Sequence, residues 1–257
     1  MREEYLSRVP EWYRSFEKFD VVLSDDLDGI VSTSALKFAK NWNVEYFYDF
    51  SKLYVTGQTY FKENKSATRV WADVAITRRE KTFDNHISRK NLGDKLNDLC
   101  INPNVITNVT NENYYDKYCG SSALLIWSLY NIPLPETELG KMLLLAIDTT
   151  FKGFYGYNNF KERNRFYLCD VLGFEELYEV EKRHSREEFY DLIIKYNLGA
   201  KTTIDKDGYL HTDLDLDFIG KELGIELSIP TDKCFIEWRE LEEHKVNNFY
   251  GDVASIK

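Results

Sequence analysis

The chain has 257 residues, 43% of them hydrophobic and 30% charged, with a formal net charge of −10. This balance argues against intrinsic disorder, and the acidic excess argues against a surface that attracts nucleic acid as a whole, leaving only local basic grooves for it. Four widely spaced cysteines (Cys100, Cys119, Cys169 and Cys234) contain no C-x-x-C pair, so reduced thiols are expected rather than a zinc site or a disulfide framework. No apolar run reaches the roughly 18 residues of a membrane span, and Met1 to Tyr5 carries no apolar signal core, so a cytoplasmic, non-membrane protein is expected.

In chain order, residues 19–24 are an apolar run that predicts a buried strand. Residues 29–42 predict a helix with Ile30, Ala35, Leu36 and Ala39 on its apolar side, and residues 44–50 a second strand, which together make a β-α-β opening. Asp25, Asp26, Asp28 and Gly29 sit at the first strand-to-helix junction, where α/β sheets place chemistry. Residues 69–76 and 81–87 read as further short strands carrying Asp73 and Asp84, and 104–109 as a fifth. Residues 121–130 and 136–147 predict apolar helices separated by Pro133 and Pro135, the second running into Asp148.

Residues 151–157, rich in Gly and aromatics, read as a loop. Residues 160–172, 175–181 and 185–196 read as polar helices, and Ser185 with Glu188 forms a capping-box pattern. A strand at 202–204, a turn at 205–208, an acidic stretch to Asp217 and a helix at 218–223 complete the reading. The expected architecture is α/β, a mostly parallel sheet flanked by helices. Its core spans residues 1–155, followed by a smaller helical and mixed region, 156–257, with the boundary falling between 150 and 200.

Carboxylates crowded within a few residues repel one another unless a cation or shared protons compensate, so the acidic cluster reads as a divalent-metal site. Four elements recur in order: Asp26-Leu27-Asp28-Gly29, Asp73 in an apolar strand, Asp84-Asn85-His86, and Asp148 after an apolar helix. In these motifs residues 19–150 resemble the DHH phosphoesterase family, which includes RecJ-like exonucleases, oligoribonucleases and cyclic-dinucleotide phosphodiesterases. The resemblance implies Mn²⁺ or Mg²⁺ held by Asp26, Asp28, Asp73, Asn85 and Asp148. It further implies a catalytic His86 oriented by Asp84, and phosphate contacts from His86, Gly29 at its helix start, and Arg89. The implied activity is hydrolysis of phosphodiesters in single-stranded nucleic acid, short oligonucleotides or nucleotide-like substrates.

The chain departs from the family at three places. Asn85 stands where the family has a metal-binding histidine, the residue upstream of Asp26-x-Asp28 is not a ligand, and no glycine-rich C-terminal substrate loop is recognisable. An amide oxygen suits Mg²⁺ or Mn²⁺ but is a poorer donor than imidazole to a transition metal. Two alternatives follow: a catalytically degenerate binding or regulatory protein on the same scaffold, and a haloacid-dehalogenase-like phosphatase, which shares the D-x-D-G pattern and a G-D-x-x-N-D run at Gly93 to Asp98. Against the phosphatase, Ile30 replaces the usual Thr, and no buried strand precedes Gly93. Trp71, Trp127 and Trp238 are candidate base-stacking platforms. His184, His211 and His244 read as surface residues, with His211 near Asp213, Asp215 and Asp217 as a second candidate cation site.

Overall fold

Val21, Val22 and Leu23 have no solvent exposure, so strand β1 (Asp20–Ser24) is covered on both faces, as a central strand of a parallel sheet must be. The computed structural model describes residues 1–61, 69–157, 159–240, 242–245 and 252–255. Helix α1 (Leu27–Lys40) follows β1 and buries one unbroken stretch, Leu27 to Leu36, before Asn41 closes it in a left-handed conformation. Strands β2 (Asn43–Tyr48), β3 (Lys52–Thr56), β4 (Arg69–Ala72), β5 (Lys81–Phe83) and β6 (Cys100–Ile101) come next. A hairpin, β7 (Thr202–Ile204) and β8 (Leu210–Thr212), precedes β9 (Phe235–Glu240).

The sheet has seven strands in the order β6-β5-β4-β1-β2-β3-β9. Pairs β6–β5, β5–β4, β4–β1 and β1–β2 are parallel, whereas β3 is antiparallel to both β2 and β9. The sheet is thus mostly parallel and flanked by helices, as expected, with an antiparallel edge that the reading from residue pattern did not contain. From β1 the chain first runs outward to β2, then returns to the other side of β1 as β4. That reversal opens a crevice at the carboxyl ends of β1 and β4, the usual ligand position in open α/β sheets.

Helix α2 (Ser122–Leu129) is buried at all eight positions and packs on α1. Burying side chains such as Leu124, Leu125 and Trp127 contributes about 1.5–3 kcal/mol each. Such a helix needs partners for its first N–H groups, because no water reaches them. Helix α3 (Glu138–Ala146) follows, then a short 3₁₀ segment, Ile147–Gly153, which runs into the first residues of the loop expected at 151–157.

After α4 (Phe160–Arg165), helices α5 (Glu175–Arg183) and α6 (Arg186–Lys195) share one apolar cluster with the sheet and α1, through Leu177, Val180 and Phe189. Phe189 stacks on Phe151 at 4.6 Å between ring centroids. The opposite sheet face carries a smaller cluster around Val22, Tyr46 and Trp71, edged by half-buried Trp238. Among the described residues no helix is long and apolar enough to cross a membrane.

Three strand expectations are corrected. Residues 104–109 are not a strand: pairing ends at Ile101, Asn102 caps a helical turn (Pro103–Ile106), and Pro103 occupies its first position. The 69–76 strand stops at Ala72 because Asp73 takes φ 59°, and the 81–87 strand stops at Phe83.

Candidate metal centre and ligand cavity

Every acidic motif lands at the carboxyl edge of the parallel strands or at the end of α3. Asp26, in the turn after β1, caps α1 by accepting the Gly29 N–H at 3.0 Å on Oδ1. Glycine is needed there, since a Cβ would meet Ser24 Oγ at 2.1 Å and the Ser24 carbonyl oxygen at 2.8 Å. Asp28, 3% exposed, reaches across to α2: Oδ2 accepts the Ser122 N–H at 2.7 Å and Oδ1 the Ala123 N–H at 2.8 Å, with Ser32 Oγ donating at 3.1 Å. Asp25 turns aside onto Lys201, 2.8 Å away, which also approaches Asp26 at 3.4 Å.

Asp73 follows β4 in a left-handed conformation, and its Oδ1 accepts the Ser122 hydroxyl at 3.0 Å. Ser122 therefore ties Asp28 and Asp73 together, one through its N–H and the other through its Oγ. Asp148 and Thr149 hold φ of 48° and 55° in succession. Non-glycine residues enter this region at a cost on the order of 1 kcal/mol or more each, and such strain clusters at functional sites. Asp148 Oδ2 accepts Asn85 Nδ2 at 2.8 Å.

Like charges and burial act together on these carboxyls. Desolvation first, then the charges of Asp148 and Asp26, push Asp28 up to about 7. Asp73 is raised well above the usual carboxylate range by burial, with Asp28, Asp26 and Asp148 adding to it. Asp148 is also raised, chiefly by desolvation among the surrounding protein, although part of its surface opens to solvent. Shifts in this direction mean that the carboxylates disfavour one another's negative charge, which a divalent cation would offset.

The tripeptide after β5 is held from behind. Asp84, fully buried, accepts both the His86 N–H at 3.0 Å and the ring Nδ1 at 2.8 Å on Oδ1. Asn102 Nδ2 donates to Asp84 Oδ2 at 2.8 Å and to the His86 carbonyl at 2.7 Å, while Asn104 Nδ2 donates to the Asn85 carbonyl at 2.7 Å. Desolvation alone would lower the imidazole of His86, whose side chain is 39% exposed, but the Asp84 hydrogen bond and charge lift it to about 9. That direction favours the protonated ring. Asn85 Nδ2 serves two acceptors, Asp148 and the Gly120 carbonyl, which fixes the amide orientation and leaves Oδ1 buried with no partner among the described residues.

A cavity of about 680 Å³ opens beside this tripeptide, bounded by Asn85, His86 and Asp148 on one side and by tyrosines from residues 114–118 and 155–157 on another. Asp148 and Thr149 also border a smaller cavity, about 200 Å³, that contains Asp26, Asp28 and Lys201. Among the described residues no three His, Cys, Asp or Glu side chains are already drawn together at ligand spacing.

Of the expected site residues, Asp26, Asp28, Asp73, Asp84, Asn85, His86 and Asp148 come to one region. Gly29 sits there too, but its N–H is taken by Asp26. Arg89 does not join them: it is 6% exposed and donates to the Val109 carbonyl and Asn108. Trp71 and Trp127 have no exposure and cannot stack on a base. His211 pairs with Asp205 at 2.8 Å rather than with Asp213, Asp215 or Asp217, and His184 bridges Glu138 and Glu188. The side chain of His244 lies outside the described ones.

Ser122, Asn102 and Asn104 were not anticipated. The Asn-Pro-Asn run was the available signal for the last two, as a helix cap followed by proline. In comparisons with family models, curated proteins and solved structures, the chain matches none.

Proposed function

We propose that the chain is a metal-dependent phosphodiester hydrolase acting on short single-stranded oligonucleotides or nucleotide-like substrates. One observation carries the reading: Asp26, Asp28, Asp73 and Asp148 converge at the switch point of the sheet with the Asp84–His86 pair, beside a ligand-sized cavity. The site fits an oxygen-seeking cation. Its donors are carboxylates whose charges raise one another's pKa, together with the partnerless Asn85 Oδ1. Those five residues would hold Mn²⁺ or Mg²⁺. Such a cation, when bound, supplies a more acidic bound water and offsets negative charge on phosphoryl oxygens.

The remaining chemistry belongs to the chain. His86, charged and half-exposed at the cavity, donates a proton or hydrogen bond from Nε2 toward a phosphate or leaving oxygen. Asp84 fixes the ring through Nδ1, and Asn102 fixes Asp84. Both Asp28 oxygens accept backbone N–H groups, and Oδ1 also accepts the Ser32 hydroxyl, so Oδ2 is the oxygen that keeps a second lone pair.

The same two hydrogen bonds favour a second reading, a binding module in which Asp28 serves to satisfy the first N–H groups of α2 beside its cap, Ser121. Incubation with Mn²⁺ and a labelled short single-stranded DNA or RNA separates the two. Product that disappears with chelator and in Asp73→Ala supports the hydrolase; no product from the folded wild-type protein overturns it in favour of the binding module.

A further inference from the structure

The larger cavity combines two features that the acidic cluster does not use. One is aromatic surface. Tyr115, 56% exposed, stands edge-on to Phe160 at 5.7 Å, and Tyr157, 83% exposed, lies on the same wall. Exposed large rings gathered at one concave site are unusual for a soluble surface unless something lies on them.

The other is cationic. Lys117, Lys152 and Arg186 line the cavity, and none forms an ion pair with a carboxylate of the described residues, in a chain with 43 acidic residues against 33 basic ones. Lys152 and Arg186 converge instead on Tyr190: Arg186 Nη2 donates to its hydroxyl at 3.1 Å, and Lys152 Nζ lies 5.7 Å from its ring centroid. The hydrogen bond from Arg186, with the charges of Lys152 and Arg186, holds the Tyr190 phenol below its ordinary value.

We propose that this cavity is a recognition subsite for one nucleotide unit, its base lying against Tyr115, Tyr157 and Phe160 and its phosphate held by Lys117, Lys152 and Arg186. The ligand must present both a flat aromatic face and an anion, since aromatic platforms with flanking cations select that combination. A volume of about 680 Å³ suits a small organic ligand, for which cavities of roughly 300–1,000 Å³ are usual. Choosing a nucleotide among aromatic anions rests on the hydrolase reading, because Asn85, His86 and Asp148 border the same cavity. A nucleotide seated here places its neighbouring phosphodiester toward the carboxylates, and the rings and cations read the base and phosphate rather than a long duplex.

Calorimetric titration in chelator, where no hydrolysis occurs, isolates the subsite. Adenosine 5′-monophosphate is the probe, with adenosine and inorganic phosphate as controls. Saturable binding of the monophosphate, stronger than either control, is expected, and it should weaken about tenfold or more in Tyr115→Ala and in the Lys152→Ala/Arg186→Ala pair. These side chains are exposed, so circular dichroism should be unchanged. No binding at millimolar nucleotide, binding unaffected by both variants, or phosphate binding as tightly as the nucleotide would each overturn the proposal. The two readings fail separately: nucleotide binding with no Mn²⁺-dependent cleavage leaves the subsite standing without the hydrolase, while cleavage untouched by these variants leaves the hydrolase without the subsite.

Discussion

Asn85 donates to Asp148 through Nδ2 at 2.8 Å while its other amide atom, Oδ1, lies buried without a partner among the described residues. A buried carbonyl oxygen left unpaired costs roughly 1–3 kcal/mol, so a ligand that engages it recovers a real loss. Replacing the amide by a carboxylate inverts this arrangement. Asn85→Asp faces Asp148 with a like charge and leaves the Gly120 carbonyl without its donor. Its melting temperature in chelator should fall below wild type, and millimolar Mn²⁺ should raise it by more than it raises wild type. Scanning fluorimetry with and without the cation checks this; an equal Mn²⁺ shift in both proteins would remove Asn85 from the ligand set.

Gly29 tests the turn that aims Asp26 and Asp28. Gly29→Ala drives a Cβ into Ser24, and overpacking of this kind costs about 1–3 kcal/mol. Urea unfolding should register that loss. Adding Ser24→Ala removes the Oγ contact but not the carbonyl one, so it should recover only part.

Asn102 tests the support behind His86. Asn102→Asp keeps the side-chain oxygen that accepts the Asn104 N–H but turns an oxygen toward Asp84 and the His86 carbonyl, where Nδ2 now donates. An unpaired buried charge of this kind costs about 3–5 kcal/mol. The variant should unfold at clearly lower urea and lose the downfield imidazole signal of a hydrogen-bonded Nδ1–H. A wild-type spectrum and midpoint would contradict the assigned role.

Glu181 predicts a pH dependence from a buried carboxyl outside the acidic cluster. Its side chain is fully buried, Oε2 accepts Asn164 Nδ2, Oε1 has no partner among the described residues, and burial raises its pKa well above the usual value. The folded state therefore keeps a proton that the unfolded chain releases above about pH 4.3. Stability from this residue falls as pH rises from there toward the raised folded value. Glu181→Gln should be more stable than wild type at pH 8, with the advantage shrinking toward pH 4; a constant difference across that range would contradict the buried-proton account.

Spacing along the chain was enough to bring Asp26, Asp28, Asp73, Asp84, His86 and Asp148 together on paper, because each follows an apolar run: a parallel strand for the first five and helix α3 for Asp148. The bridging role of Ser122 was not legible, since it depends on α2 meeting the start of α1 and the end of β4 across 49 to 94 residues of sequence. The aromatic cavity draws on residues near 86, 115, 152 and 186, which no local pattern connects. Strand β9 was missed because a six-residue edge strand, Phe235–Glu240, with exposed Ile236 and Glu237 carries little of the buried-strand pattern. Trp71 and Trp127 looked available as stacking surfaces until their neighbours were known, and both are core.

The acidic cluster is proposed as a divalent-cation site. Calorimetric titration of Mn²⁺ into chelator-stripped protein, compared with Asp73→Asn, tests it most directly. The account predicts saturable Mn²⁺ binding with release of protons from the raised carboxyls, weakened at least tenfold in Asp73→Asn while circular dichroism stays unchanged. Absence of binding to the folded wild-type chain, or equal binding by the variant, would contradict it.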